Sequence, residues 1–288
     1  MMHINALLAL SAAVRWGGGD FSGGMGVGAA GGKTGSALRV VMLSNISSFA
    51  VLLVIVVLRH EGVPHGALLG WGLLAGFCGG VSITSFYMAL SRGAMGASAA
   101  VSGLLAAAIP ALVSMAVEGA PSVLRIAGFV LAFAAIWMIA SGPAQQHAER
   151  STMVLAIIAG IGFGVYFVSL RMANPLGVVM PMALSRVGSL TTCGLTYLFL
   201  ASRGAVGAVS LNRKAVWWAL GAGALDTTGN MMFVAATRAG RLDVAAVLAS
   251  LYPASTIVLA GWLLHERLSR RQWIGMAVAV AAVVMITV

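Results

Sequence analysis

The sequence predicts an all-α polytopic membrane protein with ten transmembrane helices, arranged as two inverted five-helix repeats around a central cavity. Three observations lead to this prediction. The 288 residues are 60 % hydrophobic and only 8 % charged, whereas a soluble domain is about 25 % charged. Apolar runs of about 20 residues, the length that spans a bilayer as a helix, recur along the whole chain. The two halves of the chain also resemble each other.

Ten apolar segments are separated by short connections that hold most of the charged residues. The segments cover residues 4–30, 38–58, 66–91, 95–117, 122–141, 151–172, 176–200, 214–239, 243–264 and 269–287. No connection is long enough for a water-soluble domain. The lipid bilayer is therefore the expected partner of the chain, and we expect a multi-pass protein of the bacterial inner membrane. Because no Lys or Arg precedes the first segment, we expect it to be a retained span rather than a signal peptide.

An internal repeat relates the two halves. After a shift of about 147 residues, Gly76 falls on Gly223 and Gly128 on Gly275. A unit of five spans has an odd number of crossings, so the second copy must enter the membrane in the opposite orientation, as in many secondary transporters. The predicted units are residues 1–141 for the first repeat, 142–151 for the connecting loop and 152–288 for the second repeat.

The net charge of +10 is expected to reflect basic loops that orient the protein in the membrane. Lys and Arg are more numerous in the loops after odd-numbered spans, which favours a cytoplasmic position for those loops. The basic residues are scattered rather than clustered, so nucleic-acid binding is not expected. Cys78 and Cys193 lie in apolar segments without a Cys/His cluster, and we expect no metal and no cofactor.

Two glycine motifs resemble those of proteins with other functions. Residues 26–31 match GxGxxG, but no acidic residue follows at the distance that a dinucleotide site needs. Residues 17–20 match GxGD, which resembles a motif of intramembrane aspartyl proteases, and Asp226 could supply the second carboxyl group. The order of the motifs differs from that family, so a protease is the alternative from another class, beside a non-transporting scaffold or receptor. We expect no enzyme activity.

Polar and aromatic residues at membrane depth are the candidates for a substrate cavity, because a charge near the bilayer centre costs about 3 kcal/mol. Arg15 could pair with Asp20 on the first span. An amino acid would suit such a cavity, with its carboxylate at an Arg and its ammonium at an Asp or an aromatic face. The candidate residues are Trp16, Asp20, Ser82, Ser85, Tyr87, Tyr166, Ser169, Arg186, Asp226, Asn230, Ser250 and Tyr252.

Two prolines and two glutamates have expected structural roles. Pro110 and Pro253 lie inside the fourth spans of the two halves and should kink these helices. Glu118 and Glu266 follow the same spans. We expect each glutamate to cap the start of the next helix, where backbone N–H groups are free.

Several short motifs resemble the drug/metabolite transporter superfamily, specifically its EamA-type branch. Trp16-Gly17 resembles the Trp-Gly of the family's first span. The stretches 251–256, 264–269 and 272–275 are similar to the ending of its repeat, and residues 118–122 with Gly128 form a fainter copy. The resemblance covers essentially the whole chain. It departs from the family's pattern at residues 18–20, where Asp20 could alter the charge preference for substrate.

The resemblance implies a ten-helix basket with a central cavity and alternating access. Within the branch, the chain is most like the YddG-type exporters of aromatic and other amino acids. The expected function is therefore export of neutral amino acids or similar small metabolites, with a drug or other metabolite efflux carrier as the alternative. Coupling to protons through Asp20 or Asp226 and uniport down a gradient both remain open, and so does the oligomeric state.

Overall fold

The computed structural model describes residues 2–91, 95–140, 150–206, 211–265 and 268–287, and these ranges contain helices and no β-strand. A short 3-10 turn covers Asn174–Leu176. The helices are α1 (Met2–Ala29), α2 (Thr34–Leu58), α3 (Ala67–Ser91), α4 (Met95–Glu118), α5 (Val123–Ala140), α6 (Arg150–Met172), α7 (Val179–Ser202), α8 (Arg213–Ala239), α9 (Leu242–Ala249), α10 (Tyr252–Leu263) and α11 (Arg270–Thr287).

These helices follow the apolar segments closely, except that the ninth segment is divided. The first part, α9, ends at Ala249, and α10 begins at Tyr252. Pro253 lies in the first turn of α10, where its missing N–H costs nothing. The break therefore separates two helices rather than bending one. Pro110 lies inside the continuous helix α4.

Among the described residues, seven stretches of helix are long and apolar enough to cross a membrane, and α9 with α10 counts as one of them. The remaining long helices, α1, α7 and α8, are of similar length but carry Asp20, Arg186 and Asp226 along them. Charged and polar residues lower the mean hydropathy of these three helices. The protein is therefore an all-helical, multi-pass membrane protein, and the number of ten spans stays a prediction.

The helices of the two halves pack in matching pairs. Helix α1 packs along α8 and against α9 and α10, while α6 packs along α3 and α4. Helix α2 contacts α7, and α5 contacts α11. Helix α9 is buried along its whole length and so occupies the centre of the bundle. Large apolar side chains such as Val51, Leu195 and Trp262 are exposed on the outside, as expected for a surface that faces lipid.

Small residues allow these helices to approach closely. A Cβ atom on Gly128 would lie 3.1 Å from Cβ of Met285 in α11, and one on Gly275 would lie 2.9 Å from Cβ of Met138 in α5. The two glycines therefore make the same kind of contact in opposite directions. Such close approach is how helices without a hydrophobic driving force gain van der Waals contact in a bilayer.

Candidate functional site

A cavity of about 140 Å³ lies between helices of both halves. Its wall combines aromatic rings, small residues and a few polar or charged side chains. The lining residues are Trp16, Gly19, Asp20, Gly23, Val40, Val41, Ser44, Asn45, Gly76, Gly79, Ile83, Phe86, Ala106, Phe163, Tyr166, Phe167, Ser185, Arg186, Ser189, Ala222, Asp226, Asn230 and Tyr252. A mostly apolar pocket with few convergent polar groups is typical of a small-molecule site.

Arg186 is the centre of a polar network on one wall of this cavity. Its Nη2 atom donates to Oδ2 of Asp226 at 2.6 Å and to Oγ1 of Thr227 at 3.2 Å. Its Nη1 atom donates to Oδ1 of Asn45 at 2.9 Å. Asn230 also donates to Oδ2 of Asp226, at 3.0 Å. The guanidinium group thus joins α7 to α2 and α8, and both of its terminal nitrogens are engaged by protein groups.

Asp226 and Arg186 differ in their access to the cavity. The side chain of Arg186 is 9 % exposed, whereas that of Asp226 is 45 % exposed. Within the described part of the chain, Oδ1 of Asp226 accepts no hydrogen bond. Arg186 therefore positions Asp226, and the carboxylate presents its second oxygen to the cavity.

Asp20 lies on the cavity wall without a cationic partner. Sequence reasoning paired it with Arg15, but that expectation is wrong. The Nη1 atom of Arg15 donates to Oγ1 of Thr228 at 3.2 Å, so the guanidinium group is directed to α8. Among the described residues, Asp20 forms no ion pair with a Lys or Arg side chain.

An aromatic cluster forms another wall. The ring of Trp16 stacks on Phe167 with centroids 5.2 Å apart, and Tyr252 meets it edge-on at 6.4 Å. Tyr166 and Phe233 each contact Phe167, at 5.6 and 4.7 Å. Offset and edge-to-face contacts of this kind stabilise aromatic pairs beyond the area they bury. The cluster holds Trp16 in place four residues before Asp20, on the same face of α1.

The structure brings seven of the predicted cavity residues together on this cavity. They are Trp16, Asp20, Tyr166, Arg186, Asp226, Asn230 and Tyr252. Whether they bind substrate stays a prediction. The side chain of Tyr87 lies outside the described residues.

Four predicted serines lie away from the cavity. Ser82 donates to the carbonyl oxygen of Cys78 at 2.6 Å and packs on Gly162, so it serves the contact between α3 and α6. Ser85 is buried but does not line the cavity. Ser169 and Ser250 are fully buried, and within the described ranges their hydroxyl groups have no hydrogen-bond partner. Helical spacing placed Ser82, Ser85 and Ser169 in the correct helices but did not give the face that meets the cavity, and Ser250 lies in the break between α9 and α10.

Sequence reasoning missed Asn45, Ser44, Ser185 and Ser189. Asn45 donates to Oγ of Ser189 at 3.1 Å and accepts from Arg186. The sequence did indicate Asn45 as a candidate, because it interrupts the apolar segment 38–58 and an amide at that depth needs a hydrogen-bond partner. The serines gave no comparable signal, since a single serine in a membrane helix can bond to its own backbone.

Glu118 caps a helix, but not the one expected. Its Oε2 atom accepts from the backbone N–H of Leu242 at 3.2 Å, at the start of α9, whereas the expected partner was the next helix, α5. Its Oε1 atom accepts from Nη2 of Arg171 at 3.0 Å. The correction follows from the fold, because α9 enters the bundle beside the end of α4. Glu266 lies outside the described residues.

Several further contacts join the helices at this place, which we call the Arg241 end of the bundle. Arg241 donates to the carbonyl oxygens of Glu118 and Gly119 and to Asp243. The hydrogen bond to Asp243 is the main reason why the pKa of Arg241 lies above its ordinary value. Thr237 belongs to the same end, because its carbonyl oxygen accepts from Arg171. It follows Asp226 in the cavity by eleven positions of α8, about 16 Å of helix.

Part of the chain matches a known protein family. Residues 150–288 match the EamA-like transporter family. The match supports the drug/metabolite transporter superfamily and indicates a membrane transporter of small metabolites. No curated protein sequence matches the chain.

The fold itself is shared with solved structures. One crystal structure of a protein aligns over 99 % of this chain and 98 % of its own, with a TM-score of 0.77 and 16 % sequence identity. At that sequence identity, the similarity shows a common fold but gives no information about a substrate.

Proposed function

We propose that this chain is a secondary transporter that exports amino acids, aromatic and other neutral ones, or similar small metabolites across the bacterial inner membrane by alternating access. The observation that carries the proposal is the cavity between the two halves, with an ion pair and an aromatic cluster in its wall. Charged side chains at membrane depth usually face a cavity or a pathway. The match to the EamA-like transporter family points to the same class of function.

The matching packing of the two halves supports two inverted repeats. Helices α1 and α6 have corresponding partners in α8 and α3, and α5 pairs with α11. Gly128 and Gly275 contact residues that are themselves related by about the same 147-residue shift, Met285 and Met138. In such a fold the two halves can exchange conformations, so that the cavity opens to one side of the membrane and then to the other.

The surroundings of Asp226 favour a carrier over an aspartyl protease. Protease chemistry needs two carboxyl groups that share one proton. Here Oδ2 of Asp226 accepts from Arg186 at 2.6 Å and from Asn230 at 3.0 Å, so its partners are donors rather than a second carboxyl group. Asp20 lines the same cavity but has no comparable set of donors among the described residues.

Counterflow in proteoliposomes tests the proposal. Liposomes that contain the full chain are loaded with an unlabelled compound, and uptake of the labelled compound is measured for a panel of amino acids, nucleotide sugars and cationic drugs. We expect exchange of at least one neutral amino acid or small metabolite above empty liposomes. No exchange for any panel member, with protein that remains folded, would contradict transport. The same assay with an imposed pH gradient separates proton coupling from uniport.

A variant pair strengthens the assay. Asp226→Asn removes a carboxylate from the cavity, whereas Glu61→Gln removes one from a loop, where Glu61 pairs with Arg59 at 3.4 Å. We expect exchange to fall in Asp226→Asn and to persist in Glu61→Gln. Equal loss in both variants would assign the effect to expression or folding rather than to the cavity.

A further inference from the structure

We infer that the cavity recognises an organic cation, namely an amine with an aromatic or apolar body and no free carboxylate. This inference rests on the proposed transport function and narrows its substrate class. The proposed substrates are amino acids or similar small metabolites. The inference favours metabolites whose only charged group is an ammonium group.

The first argument is the charge of the cavity wall. Among the described residues that line it, the charged side chains are Asp20, Asp226 and Arg186. The acidic side chains of the wall thus outnumber the basic one by two to one. A charge that faces a low-dielectric cavity attracts a counter-charge far more strongly than it would in water. The cavity therefore favours a cation over a neutral or negative guest.

The second argument is that Arg186 is already occupied. Its two terminal nitrogens donate to Asp226, Thr227 and Asn45, and its side chain is 9 % exposed. The Nε atom of Arg186 has no hydrogen-bond partner among the described residues, but it is buried. A substrate carboxylate would therefore have to compete with Asp226, whose Oδ2 atom lies 2.6 Å from Nη2 of Arg186. The sequence-based expectation that an Arg would bind the carboxylate of an amino acid is therefore not supported by these contacts.

The third argument is the aromatic wall beside Asp20. An ammonium ion is attracted to the face of an aromatic ring, and the attraction is strongest for Trp. Trp16 lies one helical turn before Asp20 on α1, and its ring is fixed by Phe167 and Tyr252. Of the described residues, those that bring an aromatic ring to the cavity wall are Trp16, Phe86, Phe163, Tyr166, Phe167 and Tyr252.

The site thus offers a carboxylate without a cationic partner and rings on which the rest of an amine can pack. Arg15, the nearest cation in the sequence, is directed to Thr228 instead. A zwitterion would gain from its ammonium group but would also bring a carboxylate to a cavity whose one cation among the described lining residues, Arg186, is already paired with Asp226. We expect this to cost at least about tenfold in affinity.

Three ligands with the same aromatic body test the inference. Phenethylamine is a cation, phenylalanine a zwitterion and 3-phenylpropanoate an anion. Isothermal titration of each ligand into the full chain in nanodiscs measures its affinity. We expect phenethylamine to bind at least about tenfold more tightly than phenylalanine, and 3-phenylpropanoate to bind most weakly. Binding of phenylalanine as tight as that of phenethylamine, or no binding of phenethylamine, would overturn the inference.

Variants assign the preference to Asp20. Asp20→Asn should reduce the preference for phenethylamine to within about twofold, whereas Asp20→Glu and the loop control Glu61→Gln should keep it. An unchanged preference in a folded Asp20→Asn protein would overturn the role of Asp20. If that variant does not fold, the ranking of the three ligands on the unaltered protein still decides the inference.

Counterflow with the same ligands separates this inference from the proposed function. Exchange of phenylalanine in preference to phenethylamine would overturn the inference and leave the transporter proposal standing. Exchange of neither these ligands nor the wider panel would contradict both.

Discussion

Arg186 on α7 donates a hydrogen bond of 2.6 Å to Oδ2 of Asp226 on α8, and this ion pair lies in the cavity wall between the two halves. Asp226 reaches the cavity, whereas Arg186 is buried behind it. Asn45 on α2 accepts from the same guanidinium group. One buried cation thus joins three helices and sets the position of the carboxylate that a substrate would meet.

Breaking this ion pair should destabilise the protein. Arg186→Met leaves Asp226 without its cation, and Asp226→Asn leaves Arg186 without its anion. Because removal of one partner leaves a buried charge uncompensated, we expect each variant to lose about 2 kcal/mol, a value reduced for the exposure of Asp226. The corresponding fall in Tm is about 5 °C.

The double variant Arg186→Met/Asp226→Asn should lose less than the sum of the single losses. Thermal unfolding of the detergent-solubilised chain measures all three. The matched control is Arg59→Met, which breaks a surface pair in which the side chain of Arg59 is 60 % exposed and should change Tm by no more than about 1 °C. Additive losses in the double variant would show that the two residues are not energetically coupled.

Replacement of glycine by alanine should affect stability differently at Gly76 and at Gly221. A Cβ on Gly76 would lie 2.1 Å from the carbonyl oxygen of Ser185, whereas a Cβ on Gly221 would meet nothing within 4 Å. Gly76→Ala must push α3 away from α7 and should cost about 2 kcal/mol. Gly221→Ala should be neutral or stabilise by up to about 1 kcal/mol, because alanine favours the helix. Thermal unfolding compares the two, and equal Tm values would contradict the close contact of α3 and α7.

Much of the fold could be predicted from the sequence because lipid imposes a simple rule on length and hydropathy. Nine of the ten apolar segments each coincide with one helix within about four residues. The ninth segment could not be divided in advance, since the break at Ser250 and Leu251 depends on how α9 packs in the centre. From the sequence we expected Pro253 to kink this segment, but a proline can either bend a helix or begin one.

The residues that line the cavity were less predictable, because the rotation of each helix about its own axis decides which side chains face the cavity. A residue's depth in the membrane follows from its position in a segment, so Asp20, Arg186 and Asp226 were identified by charge alone. The face that a serine presents depends on the tilt and rotation of the helix, which are set by its neighbours. Ser169 and Ser250 are therefore buried without lining the cavity, and the small residue Gly79 forms part of the cavity wall without any sequence signal.

Ser169 offers a direct test of that distinction. Its buried hydroxyl has no hydrogen-bond partner among the described residues, and burial of an unpaired hydroxyl costs about 1 kcal/mol or more. Ser169→Ala should therefore leave ligand binding unchanged and raise the stability by up to about 1 kcal/mol. The matched variant Ser82→Ala removes a hydroxyl that bonds to Cys78 and should not stabilise. A loss of ligand affinity in Ser169→Ala would instead indicate that Ser169 is part of the substrate site.

The Arg241 end should open more readily when Glu118 loses its charge. The carboxylate of Glu118 joins α4 of the first half to Arg171 on α6 and to the start of α9 in the second half. If the halves move apart at this end during transport, these bonds must break. Glu118→Gln removes the ion pair and keeps the size of the side chain, and hydrogen bonds to charged groups are worth about 1.5–3 kcal/mol.

Labelling of a buried cysteine measures this opening. Ala173 follows α6 at the same end and is fully buried, so Ala173→Cys in a background without Cys78 and Cys193 should react slowly with a membrane-impermeant maleimide. Glu118→Gln should raise the labelling rate about tenfold, while the loop control Glu61→Gln should leave it unchanged. An unaltered rate in a folded Glu118→Gln protein would assign Glu118 to helix capping alone, because a cap can stabilise α9 without controlling access to the cavity.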